Sequence, residues 1–87
     1  MQLSPKQENE IRIRKHYRTC TITTVEQALF LEVVAVLAVL PHSTPGVAWA
    51  IKTTTNHARK VLRRMQDMGY VTGESNGSNK TTWSLVP

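Results

Sequence analysis

Residues 44–71, TPGVAWAIKTTTNHARKVLRRMQDMGYV, decide the fold. Thr44 can cap a helix and Pro45 suits its first turn, so a short helix is expected to begin there. Val47, Ala48 and Ile51 give that helix one packed side, and Trp49 falls on the other side or on an edge. Residues 53–55 are three threonines, poor inside helices and good as caps. From about Thr54 to Met68 a longer helix carries Ala58, Val61, Leu62, Met65 and Met68 at i, i+3, i+4, i+7 and i+10, an apolar stripe. Its opposite surface holds Thr55, Asn56, Arg59, Lys60, Arg63 and Arg64, with no acidic residue before Asp67. Gly69 stands where a left-handed C-terminal cap belongs. An ordinary solvated helix face does not explain four basic residues without a carboxylate.

Upstream, residues 24–40 are apolar on nearly every face. Thr23 and Glu26 have the spacing of a capping box, and Pro41 ends the run. A membrane span needs about 18 or more apolar residues, whereas this run is shorter and is interrupted by Glu32. A central helix buried among several neighbours is the better reading. Residues 19–24, rich in threonine and β-branched side chains, suit a short extended segment. Residues 1–18 form a further helix, with Ser4 as cap, Pro5 in the first turn, and Glu8–Arg12 and Glu10–Arg14 spaced for pairing. Its apolar residues Leu3, Ile11, Ile13 and Tyr17 make only a ragged face, so the helix needs a partner. It is either a solvated helix over the core, a dimerisation arm, or a phosphate-contacting segment through Arg12, Arg14, Lys15 and Arg18, the first two being favoured.

Downstream, Tyr70 to Glu74 and Lys80 to Val86 bracket a small polar turn and read as a β-hairpin. Trp83 and Leu85 alternate with Thr82 and Ser84, leaving one apolar face. The hairpin either caps the core or forms a wing that touches a ligand, with Lys80 the charge near its tip.

Eighty-seven residues make a single domain, divided as an N-terminal helix or arm over residues 1–22 and a unit over residues 23–87. The net charge of +5 is unevenly spread: +3 over residues 1–20, −2 over 21–40 and +4 over 41–87. A basic excess of this kind is the usual footprint of a polyanion partner. The lone Cys20 forms no internal disulfide, and no secretory pattern opens the chain, so a cytoplasmic protein is expected. His16, His42 and His57 have no metal-ligand spacing with Cys20 or the carboxylates, and there is no phosphate-binding glycine loop or nucleophile–base pairing. No enzyme activity, metal or cofactor is expected.

Helix, turn, helix, glycine, hairpin is the order of the winged helix-turn-helix, a mainly α fold with a small two-stranded wing. Residues 43–71 resemble the DNA-binding segment of MarR-like and related bacterial or phage regulators without a gap. The likeness lies in Ser43, Val47-Ala48 with Ile51, the Thr54 cap, the Ala58, Val61, Leu62, Met65 core and the Gly69-Tyr70-Val71 exit. It departs at Lys52, where the turn usually holds glycine, at Thr53, and in a wing without an arginine. The chain also lacks room for the two long flanking dimerisation helices of full MarR proteins. The resemblance implies that the second helix lies in the major groove of duplex DNA. Thr55, Asn56, His57 and Arg59 would then face bases, and Ser43, Thr44, Lys60, Arg63, Arg64, Asn79 and Lys80 would contact phosphates. It also implies a transcriptional regulator that acts as a homodimer, which in a chain this short would pair through residues 1–20 or the end of the buried helix. The alternative is a protein-interaction module that reuses the fold without DNA.

Overall fold

Every helix starts on a Ser or Thr hydroxyl that accepts a backbone N–H of its first turn. The computed structural model describes residues 2–75 and 81–86. Helix α1 spans Pro5–Arg18, α2 Thr24–Leu37, α3 Thr44–Ala50 and α4 Thr55–Asp67; strand β1 is His42–Ser43, β2 Val71–Ser75 and β3 Thr81–Leu85. The caps are Ser4, Thr23, Ser43 and Thr54, the first two in complete capping boxes with Gln7 and Glu26. Ser43 therefore takes the role expected of Thr44. Its Oγ receives the Gly46 N–H at 3.2 Å, while Thr44 already sits inside the helix.

Three helices stop in the same way. After α1, α3 and α4 the chain turns left-handed at Cys20 (φ 60°), Lys52 (φ 57°) and Gly69 (φ 84°). In each case the next N–H reaches back five residues: Thr21 to His16, Thr53 to Ala48 and Tyr70 to Met65, all at 2.9 Å. Residues 19–22 are thus a turn rather than the expected extended segment. Helix α2 ends at Leu37, three residues before the expected boundary. Pro41 disfavours helical backbone at Leu40 and has no N–H to donate, so the last turn opens early.

The expected hairpin is present as β2 and β3, in register from Val71–Leu85 to Ser75–Thr81. It is widened by β1, whose His42 and Ser43 pair with Trp83 and Thr82, so the sheet has three antiparallel strands in the order β1-β3-β2.

One core joins all the layers. Ile13 of α1, Phe30, Val33, Val34 and Leu37 of α2, Val47 of α3, and Val61, Leu62 and Met65 of α4 meet Tyr70, Val71 and Trp83. Each such burial contributes about 1.5–3 kcal/mol. Helix α1 is bound into this core by Ile13 and by the buried Asn9, whose amide donates to the carbonyls of Pro5 and Val86. Arg12 does not pair with Glu8; it reaches α4 instead. Helix α2 departs from expectation on its outer side, where Val25, Ala28, Glu32 and Ala35 are exposed.

Candidate nucleic-acid interface

The apolar stripe of α4 places Ala58, Val61, Leu62 and Met65 in the interior. By helical geometry that turns Asn56, His57, Arg59, Lys60 and Arg63 outward, and all five are exposed, with Thr55 half-buried at the helix start. The Arg59 guanidinium donates to Asn56 Oδ1 at 3.2 Å, so the amide and the guanidinium are presented together. Thr54 fixes the first turn by accepting the His57 N–H at 3.2 Å.

Arg59 and Arg63, one turn apart, also line a cleft of about 230 Å³ between α4 and the hairpin. Its other described walls are Thr44, Gln66, Gly73, Ser75, Thr81 and Trp83, so two cations and the Ser75 and Thr81 side chains line it with no carboxylate among the described lining residues. Such a lining suits an anion that accepts hydrogen bonds. Trp83 forms the buried end of the cleft, and its Nε1 donates to Thr44 Oγ1 at 2.9 Å. Gly73 lies opposite Trp83 in the ladder because there is no space for a side chain: a Cβ would come within 2.9 Å of the indole.

The expected contact residues thus divide. Thr55, Asn56, His57, Arg59, Lys60 and Arg63 share α4, with Ser43 exposed at the cap of α3. Thr44 is buried, its hydroxyl engaged by Trp83. Arg64 is turned away toward the α1–α2 connection. Its Nε donates to Glu26 Oε2 and its Nη2 to the Thr21 carbonyl, both at 3.1 Å. One residue beyond Arg63 is a rotation of about 100°, enough to move a side chain from the cleft to α2. Asn79 and Lys80 lie outside the described residues. Gln66, Ser75 and Thr81 line the cleft without having been expected there; Gln66 falls outside the apolar spacing of α4, but no local signal brings the strands to it.

The far end of α4 is clamped. Arg12 donates to the carbonyls of Gly69 (3.0 Å) and Met68 (3.1 Å), where the helix dipole is negative, and its guanidinium lies 5.2 Å from the Tyr70 ring centroid. Tyr70 is fully buried, edge-on to Phe30, with its hydroxyl hydrogen-bonded to His16 Nδ1. Burial pushes the Tyr70 phenol up from its ordinary value of 10.0. The Thr23 N–H, and then Arg64, hold the Glu26 carboxyl below its ordinary 4.5 against a smaller opposing effect of burial. No cluster of three or more potential metal ligands forms among the described residues, and no described helix is long and apolar enough to cross a membrane.

No protein-family model matches the chain, and no curated protein matches its sequence. Among solved structures, the crystal structure of a cysteine-to-serine mutant of MarR from E. coli superposes with a TM-score of 0.59 at 11% identity, covering 94% of this chain and 60% of that one. The chain therefore spans less than two thirds of that protein's length. At this identity the likeness concerns the fold, which is the winged helix-turn-helix.

Proposed function

We propose that the chain is a duplex-DNA-binding transcriptional regulator that lays α4 in the major groove, with the β2–β3 hairpin as its wing. The observation that carries this reading is the cleft, free of carboxylates among its described lining residues, in which Arg59 and Arg63 face the hairpin. A DNA strand passing between helix and wing would seat a phosphate there. Asn56 and Arg59, with Thr55 and His57 beside them, would meet base edges; Asn has the fork for adenine and Arg that for guanine. Lys60, Arg63 and Ser43 would hold phosphates, which position the helix without reading sequence. Arg64 acts in this scheme by fastening α4 to α2. A regulator of this kind belongs in the cytoplasm with the nucleoid, and a second copy would let it read two half-sites. The sequence leaves two pairing segments, residues 1–20 and the end of the buried helix; Ile11 and Tyr17 are exposed on α1 and Leu3 just before it.

The adaptor reading is favoured by one observation, the 85% exposure of Trp49 on α3. Alanine at both Arg59 and Arg63, compared with alanine at both Arg14 and Arg18, separates the two readings. The pairs remove equal charge from different faces. Loss of binding to a 20–30 base-pair duplex, about a hundredfold or more and only in the α4 pair, supports the regulator. Equal, small losses in both pairs would leave only charge attraction and return the fold to the adaptor class.

A further inference from the structure

The outer side of α2 is apolar and unpartnered within the chain. Val25, Ala28, Glu32 and Ala35 follow one another at helical spacing and all are exposed, Val25 at 68%, and Val39 in the turn beyond the helix is exposed at 77%. Beside them runs a groove of about 330 Å³, lined by Glu32, Ala35 and Val36 of α2 and by Ala50, Ile51 and Lys52 at the end of α3. Trp49, the residue before Ala50 in α3, is 85% exposed. The ion pair within 4.0 Å among the described residues is Arg64–Glu26, so Glu32 and Lys52 face the groove without one.

We infer that this face binds a second copy of the chain about a two-fold axis through the groove. The argument is one of charge and shape. A two-fold operation sets Glu32 of each copy toward Lys52 of the other, so one groove supplies two reciprocal ion pairs. The alanines at 35 and 50 let the two backbones approach, and Trp49 supplies a large apolar anchor at the edge. The two basic faces are less suited to self-pairing. Helix α4 carries Arg59, Lys60 and Arg63 with no acid before Asp67, and α1 carries Lys6, Arg12, Arg14, Lys15 and Arg18 against Glu8 and Glu10. A two-fold contact at either brings an excess of like charge together. Residues 21–40 hold no basic residue, and of their two acids Glu26 is already engaged by Arg64. The groove shares no residue with the Arg59–Arg63 cleft, so pairing leaves that cleft open. A face of this size belongs at the small end of specific interfaces and suits a micromolar dimer.

Sedimentation velocity of the full chain without DNA, from about 1 to about 200 µM, is the test. The expected result is a monomer–dimer equilibrium, with the Trp49 emission shifting to the blue as concentration rises. Glu32→Lys and Lys52→Glu should each weaken the dimer about tenfold or more, and the two together should restore it. Ala35→Arg, on the exposed helix face, should also abolish pairing with an unchanged melting temperature, and it decides the matter if the Lys52 variant fails to fold. A monomer at every concentration overturns the inference. So does a dimer that is indifferent to Glu32→Lys and Ala35→Arg but lost in Ile11→Glu, which would place pairing on α1.

Discussion

Lys52 holds a backbone conformation that ordinarily falls to glycine, and the turn between α3 and α4 depends on it. A left-handed residue with a Cβ costs about 1–2 kcal/mol, partly offset because glycine loses more freedom on folding. Lys52→Gly is therefore expected to raise unfolding stability by up to about 1 kcal/mol in urea titration; a loss of stability would contradict the assigned turn. Gly69 is the opposite case. Its φ of 84° and the Arg12 Nη2 only 3.0 Å from a would-be Cβ mean that Gly69→Ala strains the backbone and displaces Arg12 from the end of α4. A cost of about 1–3 kcal/mol is expected by the same titration. The contrast also marks what a sequence can convey at this scale. Gly69 announces its conformation because glycine is the usual occupant, whereas Cys20 and Lys52 adopt theirs under the pull of the helix ends and carry no local signal.

Among the elements, the joint between sheet and helix-turn-helix rests on Trp83. Thr44→Val keeps the shape of the side chain but removes the acceptor for a buried indole N–H, a change worth about 1–3 kcal/mol. A lower urea midpoint is expected, with the hairpin amides exchanging faster than those of α2; unchanged stability would mean that the bond contributes nothing. The cap of α2 and, behind it, the α2–α4 joint share Glu26, so both depend on pH. Because Glu26 has a lowered pKa in the folded chain, the stability it contributes is complete above the ordinary value of 4.5 and is lost as pH falls through the lower folded value. Both partners are partly exposed, at 45% for Arg64 and 29% for Glu26, so the pair contributes under about 1 kcal/mol. Glu26→Gln should flatten that acid limb in urea midpoints taken across the range, with little change at neutral pH.

The helices were legible because caps and apolar spacing coincide, as at Thr23 with Glu26 and along Ala58 to Met65. Strand β1 was not, since two residues are too few to show alternation and only Trp83 and Thr82 reveal its register. The outer face of α2 misled for a related reason. Its composition reports how apolar the helix is, and the number of neighbours that cover it depends on the whole fold.

Across the molecule, the basic helix face could be read directly, but the cleft could not. Arg59 and Arg63 are joined there by Ser75 and Thr81 from strands that reach them only when the hairpin folds back. The same long-range geometry separates Arg63 from Arg64, which adjacent positions in a basic run do not distinguish. What the charge pattern bears on is the salt dependence that the proposed DNA binding would have. In the proposed complex Arg59, Lys60 and Arg63 would neutralise about three phosphates and release that many counterions, so affinity would fall with salt. The most direct measurement is fluorescence anisotropy on a 20–30 base-pair duplex across a salt series. The account predicts a slope of log K against log salt of about −3, reduced by about two units when Arg59 and Arg63 are both alanine. No binding at low salt, or a slope unchanged by that pair, would contradict it.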